Sequence, residues 1–103
     1  MKIEEFRHRI AQGKYLIKTH AIQHALKEGF ERKNMLEAVE KGKVIENYPQ
    51  EQRLLICGTT YLTEQIAIYL HIVCEYSEEY IEFVTAYIPD EYLWENPPFK
   101  RRR

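Results

Sequence analysis

Three of the four histidines sit where an imidazole could do chemical work. His20 and His24 lie four residues apart in the run HAIQH. On a helix that spacing puts both rings on one face, as a metal-binding pair requires. The zincin signature, however, places Glu directly after its first His, and here the residue is Ala21. No third ligand lies nearby in sequence, so no metal or other cofactor is expected. A helix-surface or supporting role suits the pair better, and a metal-dependent hydrolase built on them stands only as a third reading. If Thr19 starts the helix, His20 lies near its N-terminus, where the dipole disfavours imidazolium and favours anions. His71 interrupts an otherwise apolar run, and an ordinary imidazole, with a pKa of ~6.5, suits proton transfer at neutral pH. The competing reading of His71 is a buried, hydrogen-bonded structural residue. Tyr87 ends the last apolar run, where a phenol can stack on a base, meet a phosphate or simply pack on the fold. The cations that could meet phosphates are Lys18, Lys43, Arg53 and the terminal Lys100–Arg103. They matter only if the fold brings them together. Glu46 and Glu75 are the weaker acidic candidates. No nucleophile motif, phosphate-binding glycine loop or zinc-finger spacing is present.

Positioning these groups falls to elements that the periodicity announces. Ile3, Phe6 and Ile10 have helical spacing, and Gly13 ends that helix. Tyr15 to Lys18 reads as extended. Thr19 can cap a helix to about Glu28 that Gly29 stops, with Ala21, Ala25 and Leu26 at its helix-favouring and inward positions. A third helix, about Arg32 to Lys41, carries Met35, Leu36 and Val39 on its apolar face and stops at Gly42. The period then changes to that of strands: Val44 to Tyr48, Arg53 to Cys57 with Gly58 as its end, Gln65 to Tyr76, and Tyr80 to Tyr87. In the longest of these, Ile66, Ile68, Leu70, Ile72, Cys74 and Tyr76 alternate with Gln65, Ala67, Tyr69, His71, Val73 and Glu75. One face is apolar and the other mixed. Short turns between consecutive strands imply an antiparallel meander. The expected fold is therefore α+β, with two or three N-terminal helices on one face of a four-stranded antiparallel sheet. Tyr69 and His71 should face a ligand on the other side. Asp90 to Trp94 reads as a helical turn before Pro97-Pro98.

A length of 103 residues fits one domain, taken as residues 1–96 with a basic C-terminal tail at 97–103. That tail reads as a phosphate-binding arm or a solvated end. The net charge is −1, from 15 basic and 16 acidic residues; without the four terminal cations the balance is 11 against 16. An acidic body argues against broad non-specific duplex binding, which needs many phosphate contacts, but leaves room for a local basic cleft. Eight tyrosines suit an interface or stacking surface, or simply the preference of strands for aromatics. Cys57 and Cys74 form no CxxC pair and read as buried apolar residues in a reducing compartment. The N-terminus lacks the apolar core of a signal peptide. The apolar run Ile66 to Cys74 falls far short of the ~20 residues that span a bilayer. A cytoplasmic location without membrane association is expected.

Four blocks, in order, resemble a family of small prokaryotic proteins: Tyr15…His20-Ala21…Glu28-Gly29-Phe30, Val39…Gly42-Lys43-Val44-Ile45-Glu46…Tyr48-Pro49, Leu70-His71-Ile72-Val73, and Tyr87-Ile88-Pro89-Asp90…Trp94. The match covers roughly residues 15 to 94. The family is a domain of unknown function grouped with RelE/ParE-like and BrnT-like toxins. The resemblance implies helices packed on an antiparallel sheet and membership of a toxin–antitoxin pair with a small antitoxin as partner. It also implies metal-independent cleavage of messenger RNA with the RNA's own 2′-OH as nucleophile. The chain departs from the pattern at Lys18, where Ser or Thr is usual, at His24, where Arg is usual, and at Lys43, where Glu is usual. His24 lacks the fixed charge of Arg, which weakens a phosphate clamp there. On this reading His20, His71 and Tyr87 are the catalytic candidates. Lys43, Arg53 and His24 are the substrate-binding ones, stabilising a charged transition state. The alternative is a non-catalytic module of the same fold that binds a protein through its tyrosine-rich face or sheet edge. The oligomeric state is left open.

Overall fold

A computed structural model describes all 103 residues. Its elements run α1 (Ile3–Ala11), β1 (Tyr15–Ile17), α2 (Thr19–Glu28), α3 (Arg32–Lys41), β2 (Lys43–Tyr48), a 3-10 turn (Pro49–Glu51), β3 (Arg53–Tyr61), β4 (Ala67–Tyr76) and β5 (Ile81–Tyr87). Helices precede the meander, as the periodicity predicts. The sheet differs from the expected four antiparallel strands: it has five, in the order β1-β5-β4-β3-β2, and is mixed. β2 to β5 form the antiparallel meander, and β1 joins its far edge parallel to β5, with Tyr15 opposite Ile81 and Ile17 opposite Phe83. A three-residue segment carries too little alternation to announce a partner. What holds it is the stacking of Tyr15 on Phe83, with ring centroids 5.8 Å apart, and backbone bonds that bracket it.

The main core lies between the helices and one sheet face. Phe6, Ala21, Ala25, Met35, Ala38 and Val39 from the helices meet Leu54, Ile56, Leu70, Ile72, Cys74 and Phe83 from the strands. The inward alternation read in β4 holds at Leu70, Ile72 and Cys74, whereas Ile66 lies before the strand and is exposed. Thr19 is the first residue of α2 and not its cap; Lys18 takes the cap position with no side-chain bond. α3 has a true capping box: Asn34 Oδ1 accepts from the Glu31 amide at 2.8 Å while the Glu31 carboxylate takes the Asn34 amide. The Asn34 amide group also donates to Thr60 Oγ1 (2.9 Å) and to the Tyr61 carbonyl (3.0 Å). Asn34→Leu strands these buried partners and removes the cap. It should lower stability by ~2–4 kcal/mol, read as a shift of the urea midpoint at constant slope.

Gly58 does not end β3, which continues to Tyr61. Its role is close approach. An added Cβ would stand 1.8 Å from the Ala38 carbonyl oxygen, so the backbone of α3 rests directly on this strand. Gly42 serves the same contact, with a Cβ there 2.4 Å from the same oxygen.

Candidate functional site

Strand register sets four side chains in one row across the sheet. Lys43 on β2 pairs with Cys57 on β3, Cys57 with His71 on β4, and His71 with Tyr87 on β5. Directly paired residues project to the same face, their Cβ atoms ~4.5–5.5 Å apart. Because Leu70 and Ile72 face the helices, this row faces away from them. The sequence predicts that placement for His71.

The expectation that this face is open fails at His71, which is fully buried. The cover comes from the C-terminus and not from the helices. After β5 the chain turns at Asp90, whose carbonyl accepts from the Leu93 and Trp94 amides, and then crosses the outer face of the sheet. Trp94 sets its ring edge-on to His71 at 4.3 Å between centroids. Phe99 stands edge-on to Tyr69 with the Lys43 ammonium over its ring at 3.7 Å. Arg101 lies over Trp94 at 4.6 Å and pairs with Glu46 at 2.8 Å. A bridge between Trp94 and Arg101 closes residues 94–101 into a strap. Leu55, Cys57 and Trp94 form a second small buried apolar set on this side, outside the main core. Much of the basic end is thus engaged, with Arg102 Nε donating to the Glu91 carbonyl.

The bonds around His71 define its tautomer. Nε2 lies 2.7 Å from the Pro98 carbonyl, which can only accept, so Nε2 carries the proton. Nδ1 is then free to accept from the Tyr87 hydroxyl at 3.2 Å. Burial holds the His71 pKa below its ordinary value, against the opposing pull of the Pro98 carbonyl and Glu46. Burial likewise raises that of Tyr87. His71 is therefore a neutral base beside a protonated phenol at pH 7. A buried neutral histidine also couples folding to pH. Below its ordinary pKa of ~6.5 the unfolded chain takes up a proton that the folded chain refuses. The melting temperature should fall as pH drops from ~6.5 toward the lower folded pKa. The profile of His71→Gln should be flatter over the same range, as followed by circular dichroism.

Beside the strap lies an open cleft of about 240 Å³ whose lining includes Glu46, Tyr48, Arg53, Leu55, Tyr87 and Arg101. Arg53 is held there by Glu75, its cross-strand neighbour. Arg101 holds the Glu46 carboxyl below the usual range, against burial, with help from the Tyr48 hydroxyl. His71, Tyr87, Lys43 and Arg53 therefore share the outer face.

His20 and His24 do not join them. α2 packs on β5 from the helical side through Ala21 and Ala25, so the sheet separates these histidines from the row. His24 Nδ1 lies 2.7 Å from the Ala86 carbonyl and donates to it, with Glu28 3.2 Å away. His20 is exposed and stacks on His24 at 6.0 Å. No three His, Cys, Asp or Glu side chains gather in a metal-holding group. Sequence reasoning missed Trp94, Pro98 and Phe99 as the cover and Arg101–Glu46 as its tie. The available signal was a lone Trp and a Phe flanking two prolines, apolar mass that must be buried somewhere.

Searches of curated proteins and of solved structures return no match. A family profile described as Domain of unknown function (DUF4258) matches residues 17–88, well over half of the chain, from β1 to just past Tyr87. The matched span holds His20, His71 and Tyr87 and stops before the strap. By that match the chain belongs to the DUF4258 family of domains of unknown function.

Proposed function

We propose that this chain is a toxin-type domain that cleaves RNA without a metal, using the outer face of its sheet. The observation that carries the reading is the His71–Tyr87 pair, a neutral imidazole with its lone pair on a phenol that also lines a cleft with Arg53. In such a site the RNA supplies its own nucleophile. The 2′-hydroxyl passes its proton to the Tyr87 oxygen as Tyr87 passes its own to His71 Nδ1. The 2′-oxygen bonds to phosphorus, the bond to the 5′-oxygen breaks, and the leaving oxygen takes a proton from water, whose hydroxide is neutralised by the proton that His71 gives up. The products are a 2′,3′-cyclic phosphate and a 5′-hydroxyl. Lys43 and Arg53 stabilise the charge that builds on the phosphoryl oxygens, and the tyrosines of this face offer stacking surfaces to bases. His20 and His24, on the other side of the sheet, take no part.

Induced expression of the chain in a bacterial host should arrest growth, and His71→Gln should relieve the arrest at equal protein level. Equal arrest by both chains would remove His71 from the mechanism. A partner in the form of a small antitoxin belongs to the same proposal.

A second reading, a non-catalytic protein-binding module, is favoured by a different surface. α2 leaves Ile22 and Leu26 exposed beside a groove of about 250 Å³ that also includes Phe30 and Met35. If a partner protein seats there, Leu26→Asp should abolish its co-purification without changing the melting temperature of the isolated chain.

A further inference from the structure

We propose that residues 94–101 are a removable cover over the row Lys43–Cys57–His71–Tyr87, latched by the Arg101–Glu46 ion pair. The inference deepens the RNA-acting reading and rests on it. With the strap closed, His71 has no exposed surface and its Nε2 is spent on the Pro98 carbonyl. Trp94 and Phe99 then lie on the face where an unpaired base would stack, against His71 and Tyr69.

Three features make the strap separable from the fold beneath it. It is closed on itself: the Glu95 amide donates to the Lys100 carbonyl at 2.9 Å and the Arg102 amide to the Leu93 carbonyl at 2.8 Å, so it can lift as a unit. Its ties to the sheet are few, and none is a strand-to-strand ladder: one hydrogen bond to His71, ring contacts with His71 and Tyr69, the Lys43 ammonium over Phe99, and the Glu46 pair. The latch is wet on its Arg101 side, where the side chain is 62% exposed against 20% for Glu46, and an ion pair that solvent reaches is weak and screened by salt. The main core lies on the opposite side of the sheet, so lifting the strap uncovers only the apolar residues of the outer face, Leu55, Cys57 and Trp94.

Amide hydrogen exchange of the full chain, read residue by residue beside an RNA-cleavage assay, tests the cover. The amides of Glu95 in the strap and of Arg102 just beyond it should exchange far faster than the core amides of β4, because they open without global unfolding. Glu46→Gln should speed strap exchange about two- to fivefold, the size of an exposed pair, and leave β4 exchange and the melting temperature unchanged. Cleavage should rise by the same factor. Strap and β4 amides that exchange together, or a strap rate indifferent to Glu46→Gln, would overturn the cover. Faster strap exchange with an unchanged cleavage rate would overturn its gating role. Faster strap exchange with no cleavage by either chain would support the cover and overturn the RNA reading.

Discussion

A Gly58→Val chain should fail to fold. The reason is the closeness of α3 to β3, where a Cβ on residue 58 would lie 1.8 Å from the carbonyl oxygen, 2.6 Å from the carbonyl carbon and 2.9 Å from the Cα of Ala38. All three obstacles are backbone, so no rotamer change relieves them, and α3 must lift. Lifting it opens the layer in which Met35, Ala38 and Val39 meet Leu54 and Ile56. Removing the packing of even one such side chain costs ~2–5 kcal/mol. A domain of this size has only ~5–15 kcal/mol in hand. Gly58→Ala meets the same oxygen and should lose most of the stability. Gly13→Ala is the contrasting case. A Cβ there meets nothing, and the cost is only that of a left-handed φ of 76°, ~1 kcal/mol. Thermal melts of the three variants should rank Gly13→Ala well above Gly58→Ala, with no cooperative transition for Gly58→Val. A Gly58→Ala melt equal to that of Gly13→Ala would refute the close contact.

Tyr87→Phe should reduce RNA cleavage by ~10²–10⁴-fold, the range for loss of a positioned acid–base group. It deletes one oxygen and keeps the ring that packs on His71 at 5.2 Å. The stability cost is that of one unpaired buried acceptor, ~1–3 kcal/mol. That leaves a folded chain in which chemistry and folding can be told apart. His71→Gln should match it within about tenfold, because residues that act as one unit lose nearly everything when either is removed. Single-turnover rates on a single-stranded RNA give the comparison. A Tyr87→Phe rate within twofold of the parent would exclude the relay.

The outer-face row was legible in the sequence at His71 because β4 is long, and its period of two fixes which side chains share a face. Tyr87 was legible as the end of β5. The helices were equally plain from their spacing and their glycine stops. Other features were hidden for identifiable reasons. β1 is three residues long and owes its place to Tyr15 on Phe83, a long-range contact with no local signature. In sequence Gly58 reads as a strand end because glycine is the usual punctuation; its true role, to admit the backbone of α3, depends on a neighbour 20 residues away. The strap lacks any period: an Asp90 turn, two prolines and two aromatics gain meaning only against His71, Tyr69 and Lys43. The resemblance groups His20 and His24 with His71 in one site, and the sheet keeps them apart. No helix is long and apolar enough to cross a membrane.

If the His71–Tyr87 pair moves the proton of an RNA 2′-hydroxyl, the ends of the cleaved strands carry its signature. The most direct measurement incubates the purified chain, with a chelator present, with a defined single-stranded RNA and identifies the product ends by mass spectrometry. The expected products are 2′,3′-cyclic phosphate and 5′-hydroxyl ends that vanish with Tyr87→Phe and with a 2′-deoxy substitution at the cleaved position. Intact RNA, or cleavage that continues past a 2′-deoxy nucleotide, would contradict it.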